Sequence, residues 1–201
     1  MKILSFDTSS DILSVAVFDK DRQLAFVEQS ADTSHAEKLI PAIQKALKSS
    51  RLKLEKINFI GVGLGPGSFT GLRIGVTTAK ILAYALKIKL IGVSSLEAVA
   101  RSMERDGSFA VIQDARRSQV YAAVYERKNK RWKTRQKPAL FMRECFLKSL
   151  KPDVAVLDSM HPTASAIAAV SRERIIAGKS DNPFSLTPLY LRPKDCNATR
   201  P

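Results

Sequence analysis

Cysteine and histidine are scarce in this sequence: its 201 residues include two of each. Cys145 and Cys196 lie far apart and form no CxxC pair, so we expect two reduced thiols rather than a disulfide framework. His35 and His161 supply an incomplete set of metal ligands, and nothing pairs either with a nucleophilic cysteine or serine. Metal binding by this chain and peptidase chemistry are therefore disfavoured.

Long apolar runs are also absent. No stretch approaches the ~20 residues that cross a bilayer, although 45% of the residues are hydrophobic. The N-terminal sequence MKILSFD is too short for a signal peptide and becomes acidic too early, at Asp7. We therefore expect a cytoplasmic globular protein without membrane association.

Acidic residues are outnumbered, and the formal net charge is +14. Residues 101–201 hold 20 of the 33 Lys and Arg residues but only 10 of the 19 Asp and Glu residues. A basic half of this kind suggests an anionic partner, with RNA or DNA as the first candidates. A solvated basic surface would produce the same composition.

One glycine-rich stretch is the most informative part of the sequence. Residues 63–75 read GLGPGSFTGLRIG, after an apolar run at 57–62 that is typical of a buried strand. A helical pattern follows, with Ser68 or Thr70 as its cap. The stretch is not a Walker A loop, because no Gly-Lys-Ser/Thr follows and the phosphate-reaching lysine is missing. It predicts a strand, a turn and a helix, and leaves open whether the turn holds phosphate or packs against protein.

Small residues recur every four positions in that helix. Gly71, Gly75, Ala79 and Ala83 therefore share one helix face. A glycine inside a helix costs roughly 1 kcal/mol relative to alanine, so we expect something to approach this face closely. Both the chain's own sheet and a helix of a partner protein fit this expectation.

The order of elements occurs twice. A strand ending in aspartate, a polar turn and two further strands begin the chain, and the same order restarts near residue 109. Predicted helices cover 35–48, 70–87, 95–105, 143–150 and 163–170. This pattern predicts an α/β fold of two βββαβα halves, 1–105 and 106–201, with mixed sheets and helices on their faces. The apolar tail at 188–193 is expected to dock across the first half.

Each half begins in the way that the sugar kinase, Hsp70 and actin superfamily begins its halves, where two turns hold phosphates from opposite sides. The first turn, at Asp7, Thr8 and Ser9, is small enough for this role. The second begins at Asp114 but continues with two arginines, so we expect a half-dismantled nucleotide or phosphate cleft formed by these four residues. The two aspartates either face each other across it or cap their own turns.

The densest basic stretch is 127–137, RKNKRWKTRQK, in which seven of eleven residues are Lys or Arg. Alternate residues of a strand share a face, so Arg131, Lys133, Arg135 and Lys137 are predicted to line one side, opposite Trp132. The first three are candidate RNA contacts. A solvated edge hairpin is the alternative.

Together, these features resemble the TsaB (YeaZ) family. The resemblance rests on GPGSFTGLRIG at 65–75, supported by shorter matches: DTS at 7–9, SHAE at 34–37, GVSSLEA at 92–98, DARR at 114–117 and PLYLR at 188–192. The first half matches nearly throughout, and the second matches at its start and its end.

The resemblance implies a duplicated actin-like ATPase / RNase H-like (ASKHA) fold. It also implies a cytoplasmic, non-catalytic scaffold subunit for forming N6-threonylcarbamoyladenosine at position 37 of ANN-reading tRNAs. The implied partners are a TsaD-like paralogue and a TsaE-like ATPase, with a homodimer when the chain is alone. ATP and metal would then belong to the partner subunits, and direct tRNA contact stays open. The alternative is an active nucleotide-binding ATPase or phosphotransferase that uses Asp7.

In the family, two helices of the first half form the partner interface, which corresponds here to 35–48 and 70–87. The interface residues implied by this resemblance are His35, Leu39, Ile43, Gly71, Arg73, Gly75, Thr78, Ala79 and Leu82.

Overall fold

The computed structural model describes residues 1–31 and 34–192. In these residues the strands are β1 (Lys2–Asp7), β2 (Ile12–Asp19), β3 (Arg22–Ser30), β4 (Phe59–Gly63), β5 (Lys89–Val93), β6 (Gly107–Asp114), β7 (Gln119–Lys128), β8 (Arg131–Met142) and β9 (Val154–Asp158). The helices are α1 (His35–Ser50), α2 (Phe69–Leu86), α3 (Ser95–Arg101), α4 (Arg143–Ser149) and α5 (Ala164–Ile176). None of the described helices is long and apolar enough to cross a membrane.

The two sheets begin in the same way. In the first sheet, of order β3-β2-β1-β4-β5, the first three strands are antiparallel and β4 and β5 continue parallel to β1. In the second, of order β8-β7-β6-β9, three antiparallel strands are followed by β9, parallel to β6. This repeat confirms the predicted α/β fold with a duplicated plan of mixed sheets. The halves are unequal, however, because the first adds a β5–α3 unit to the βββαβα pattern.

Helices α1 and α2 cover one face of the first sheet. Helix α1 packs over β2 and β3, and α2 packs over β4. Leu39 and Ile43 recur at helical spacing and are buried, as are the alternating strand residues Val15 and Val17. The apolar face of α1 and the apolar side chains of β2 therefore pack together in one core.

Helix α5 covers the opposite face of the same sheet, although it comes from the second half of the chain. The Ser5 hydroxyl donates to the Ala164 carbonyl at 2.7 Å, and the Ala164 amide donates to the Ser14 hydroxyl at 2.8 Å. Ile167 is fully buried beside Ile91. The first sheet is thus buried on both faces, which explains its nearly continuous apolar strands.

The prediction that this helix spans 163–170 was wrong, because α5 continues to Ile176. The polar run after Val170 suggests a helix end, but its side chains make tertiary contacts with α3. Arg174 pairs with Glu97 at 2.6 Å, and Glu173 pairs with Arg101 at 2.7 Å. Long-range ion pairs therefore hold the last turns in place.

Two further boundaries differ from the predictions. Helix α3 ends at Arg101 rather than near residue 105. After Arg101 the amides of Ser102 and Met103 donate to carbonyls three residues earlier, which closes the helix. Strand β8 ends at Met142 rather than at residue 137. It passes through Pro138, which is tolerated because β8 is an edge strand and needs no outward donor there.

The described part of the C-terminal tail runs back over the first half. The Asp181 carboxylate accepts from the Gly92 amide at 2.8 Å, and the Leu189 amide donates to the Leu64 carbonyl at 2.8 Å. The Lys80 ammonium donates to the Leu186 carbonyl at 3.1 Å. The tail therefore packs beside α2 and β5. Residues 193–201, which include Cys196, lie outside the described residues.

Candidate functional site

The glycine-rich turn packs against the chain itself. A Cβ added to Gly67 would lie 2.0 Å from the Ser9 carbonyl oxygen, and one added to Gly71 would lie 2.1 Å from the Thr8 carbonyl oxygen. Hydrogen bonds fix this approach, because the Ser68 amide donates to the Ser9 carbonyl at 2.7 Å. The Ser68 hydroxyl also accepts from the Gly71 amide at 3.2 Å and caps α2. The turn thus joins the start of α2 to the loop between β1 and β2.

The small-residue stripe of α2 continues the same contact. A Cβ on Gly75 would lie 2.2 Å from the Thr8 hydroxyl oxygen, and that hydroxyl donates to the Gly71 carbonyl at 2.7 Å. Ala79 and Ala83 are buried in the core of the first sheet. Of the two explanations for the stripe, the structure shows the close approach to be internal.

Asp7 and Thr8 do not reach the cleft for which they were predicted. Asp7 is fully buried and accepts from the Ser9 amide at 2.7 Å, the Ser9 hydroxyl at 2.6 Å and the Ser95 hydroxyl at 2.7 Å. Thr8 is also fully buried. Burial raises the pKa of the Asp7 carboxyl, and the bonds from Ser9 and Ser95 and the charge of His35 offset only part of that rise. Asp7 therefore stabilises the first turn through hydrogen bonds from the buried side of the turn.

A cleft of about 610 Å³ does lie between the two halves. Ser9 and Asp114 line it, as do Ser68 at the start of α2 and the arginines Arg116 and Arg192. Because Asp7 is buried elsewhere, it does not face Asp114 across the cleft, and the carboxylate that the β1–β2 loop adds to the lining is that of Asp11. In the described residues, no three His, Cys, Asp or Glu side chains come together as a metal site would require.

The second turn differs from the first in backbone and in charge. Arg116, Arg117 and Ser118 have φ values of 62°, 55° and 56°. The Arg116 amide donates to the Asp114 carboxylate at 3.0 Å, so this aspartate caps its own turn. Arg192 donates to the Ala115 carbonyl. Arginine side chains therefore occupy the position where a phosphate-binding turn would offer open backbone.

The histidines and the described cysteine have separate neighbours. His35 is buried, with Nε2 2.9 Å from the Ser10 carbonyl oxygen, so it supports the first turn. His161 is exposed, with Nε2 3.2 Å from the Glu28 carboxylate. Cys145 is an exposed free thiol on α4. Within residues 1–31 and 34–192, neither imidazole makes a hydrogen bond to a cysteine or serine side chain.

Most of the implied interface residues are buried inside this chain. Helical periodicity turns them towards the first sheet and the first turn, so they have no free surface to offer. They are His35, Leu39, Ile43, Gly71, Gly75 and Ala79. Thr78 and Leu82 are half-buried, and Arg73 is exposed. Arg73 lies 3.9 Å above the Phe69 ring and donates to the Tyr190 hydroxyl at 3.3 Å, which secures the tail.

The exposed apolar residues of α2 are not among the interface residues predicted from the sequence. Ile81 is 60% exposed and Tyr84 is 64% exposed, and the Tyr84 ring lies 5.3 Å from that of Phe184, which is 75% exposed. We call Thr77, Ile81, Tyr84, Ala85 and Phe184 the outer α2 face. A signal was present in the sequence, because α2 carries only two charged residues in 18 and is apolar nearly all round.

The candidate RNA contacts lie on β8, but not in the predicted row. Arg131, Lys133 and Arg135 are all exposed. Two register shifts between β7 and β8 interrupt the alternation after Lys133, and Arg135 forms an ion pair with Glu126. The predicted single line of four cations ending at Lys137 is therefore wrong.

Comparisons with known proteins agree with the resemblance. The family model described as TsaD, tRNA N6-adenosine threonylcarbamoyltransferase, matches residues 24–184. The tRNA threonylcarbamoyladenosine biosynthesis protein TsaB of Bacillus subtilis is 40% identical over 130 residues, and that of Escherichia coli is 37% identical over 130 residues. The chain belongs to the TsaB (YeaZ) family. The family prediction is thus confirmed.

The matches differ in how much of each protein they cover. The alignments include 64% and 63% of this chain but only 57% and 56% of the Bacillus and Escherichia proteins. The chain therefore spans less than two thirds of these curated relatives. The solved structure of YeaZ from Pseudomonas aeruginosa covers 94% of this chain with a TM-score of 0.84 at 24% identity, which establishes the shared fold of the family.

Proposed function

We propose that this chain is a non-catalytic scaffold subunit for forming N6-threonylcarbamoyladenosine at position 37 of ANN-reading tRNAs. In this proposal it binds a TsaD-like paralogue, which supplies the metal and the transfer chemistry, and a TsaE-like ATPase joins them. Without its partner the chain forms a homodimer. Family membership and the biosynthetic role in the names of the TsaB relatives support the pathway.

The outer α2 face is the observation that carries the partner-binding proposal. Ile81 and Tyr84 are three residues apart and share one side of the helix. Tyr84 also contacts Phe184, so the tail extends the same apolar surface. Fully burying one such side chain contributes about 1.5–3 kcal/mol, and contiguous exposed apolar surface is typical of a protein interaction site. Ile40 adds a 45% exposed apolar side chain on α1, the neighbouring helix.

The cleft supports the non-catalytic part of the proposal. Its first aspartate is buried under the turn, and its second caps its own turn among arginines. A phosphoryl-transfer site needs an accessible carboxylate to hold the metal that neutralises phosphate charge. Asp7 does not have this access, and the carboxylates that line the cleft, Asp11 and Asp114, belong to no group of three metal-ligating side chains in the described residues.

The alternative, an active ATPase or phosphotransferase, has one observation in its favour. The 610 Å³ cleft lies between the two aspartate turns, and Arg116 and Arg192 could neutralise a phosphate group there. Titration calorimetry with ATP and magnesium separates the two functions. Our proposal predicts neither heat of binding nor hydrolysis by the chain alone, and measurable turnover would favour the alternative.

Size-exclusion chromatography with the TsaD-like partner tests the interface. We expect the wild-type chain to co-elute and the I81D/Y84D variant to elute separately, because two carboxylates would have to be desolvated in an apolar contact. Ile176→Asp is the matched control, since Ile176 is 72% exposed on α5, away from this face. It should co-elute like the wild type. Co-elution of I81D/Y84D would contradict the proposed interface.

A further inference from the structure

The end of the β7–β8 hairpin presents cations on one side. Asn129 and Lys130 form a two-residue turn with φ values of 51° and 63°. Lys128 pairs with Arg131, and Glu126 pairs with Lys133. Paired residues share a face and alternate residues repeat it, so Lys128, Arg131 and Lys133 lie on one face. We call these three the basic hairpin face.

The three cations of this face form no ion pair within the described part of the chain, because Glu126, which lies on the same face opposite Lys133, pairs with Arg135 instead. All three side chains are exposed, and none is within ion-pair distance of a described carboxylate. Their basic neighbours differ, because Arg135 pairs with Glu126 and Arg127 lies 3.8 Å from the Asp106 carboxylate. The uncompensated charge is therefore concentrated at the hairpin tip.

Packing on the opposite side holds the hairpin in place. The Trp132 ring lies 5.9 Å from the Phe109 ring, with the guanidinium groups of Arg101 and Arg127 at 5.4 Å and 5.9 Å from it. Trp132 is thus engaged within the protein and is not presented for stacking on a base. A ligand of the basic hairpin face would be read by charge rather than by base identity.

We propose that the basic hairpin face binds the phosphate backbone of tRNA. The inference rests on the proposed function, which supplies RNA as the polyanion, but it concerns a separate surface. The cleft lies at the Gln119 end of β7, and nine residues of strand, about 30 Å, separate it from Lys128. RNA fits better than an anionic membrane, because this face carries no apolar side chain that could insert between lipids.

Titration of an unmodified ANN-reading tRNA transcript tests this proposal. The K128E/R131E/K133E variant should bind on the order of 100-fold more weakly than the wild type near 0.1 M salt. The slope of log affinity against log salt should become shallower by about 3, or one for each phosphate contact. A K128Q/R131Q/K133Q variant removes charge without reversing it and should show a smaller loss at an unchanged melting temperature.

The matched control is K53E/K56E/K89E, which changes the net charge equally at three exposed lysines of the first half. It should lose less than about fivefold in affinity. Equal losses in both triple variants would overturn the proposal, because only overall charge would then matter. Hairpin-dependent binding to phosphatidylserine vesicles, with tRNA binding unchanged by the substitutions, would also overturn it.

Partner binding is measured separately, so the two proposals fail in different ways. The hairpin variants should still co-elute with the TsaD-like partner, because α2 makes the proposed contact. If the complex forms but the hairpin substitutions leave tRNA affinity unchanged, this inference fails and the scaffold function stands. If the complex does not form, the scaffold function fails, and tRNA titration of the chain alone still decides the hairpin inference.

Discussion

The two faces of α2 are both apolar but have different neighbours. On the inner face, Gly71 and Gly75 approach Thr8 of the first turn closely, and Ala79 is buried in the core. On the outer face, Ile81 and Tyr84 are more than half exposed. Small residues thus mark where this helix meets its own chain, and large exposed ones mark where we expect a partner.

This contrast explains what the glycine-rich stretch at 63–75 does in this chain. Its glycines provide space for the first turn, so the stretch fixes the angle at which α2 leaves β4. The interface we propose lies on the far side of the same helix. Substitutions on the two faces should therefore affect different properties, namely folding for the inner face and association for the outer face.

The largest effect is expected at the inner face. Gly75→Leu places a side chain where the Thr8 hydroxyl now lies, which overpacks the site and breaks the bond from Thr8 to the Gly71 carbonyl. We expect a loss of about 3 kcal/mol in the free energy of unfolding. The melting temperature should fall by roughly 6–12 °C. Thermal and urea unfolding measure both quantities.

Thr77→Leu is the matched control on the outer face of the same helix, where the side chain is exposed. It should change the stability by less than about 0.5 kcal/mol. If Gly75→Leu is as stable as Thr77→Leu, the inner face is not closely packed and the contrast between the faces is lost.

A second effect concerns the turn on which the inner face rests. Burial raises the pKa of Asp7 above the value of 3.8 for a free carboxyl. Between 3.8, the value for the unfolded chain, and the raised pKa of the folded protein, Asp7 keeps a proton in the folded state that the unfolded state has released. The free energy of unfolding therefore falls as pH rises through this window. Asp7→Asn removes the titration, and its stability should lack this fall. Urea unfolding across the acid and neutral range measures the difference.

Asp114→Asn is the control for that experiment, because its carboxylate is exposed at the equivalent second turn. It should retain the fall in stability with rising pH. The account of the first turn would be contradicted by identical pH profiles for the wild type and Asp7→Asn.

The smallest effect is expected where the tail extends the outer α2 face. Phe184→Ala removes one exposed ring that packs against Tyr84. The complex with the TsaD-like partner should weaken by about 1 kcal/mol, or roughly fivefold in dissociation constant. Ser185→Ala, at an exposed neighbouring position, should leave the affinity unchanged. Isothermal calorimetry resolves the pair, and equal affinities for the two variants would exclude the tail from the interface.

Much of the fold could be predicted because it depends on local pattern. Alternation in β1 and β2, the capped helix after the glycine turn and the second aspartate strand are all visible within short windows. The length of α5 was not, because its last turns depend on ion pairs with α3, which lies about 75 residues earlier. The bulges of β8 were missed because nothing within the strand marks them.

The site was harder to predict, because two decisions depended on distant contacts. Both faces of α2 are apolar, and only the approach of Thr8 shows which face turns inward. Asp7 ends a strand just as Asp114 does, yet Ser95 and Gly63 enclose the first carboxylate, whereas the second stays exposed. The spacing of residues in the sequence indicates neither which face of α2 turns inward nor which of the two aspartates is buried.

The central claim is that the outer α2 face contacts the partner, and site-specific photo-crosslinking tests it most directly. A benzophenone side chain is placed at Ile81 in one variant and at Ile176 in another, and each is irradiated in the co-eluting complex with the TsaD-like protein. We predict a crosslink to the partner from position 81 and none from position 176. A crosslink from 176 alone, or none from 81 in an intact complex, would contradict the claim.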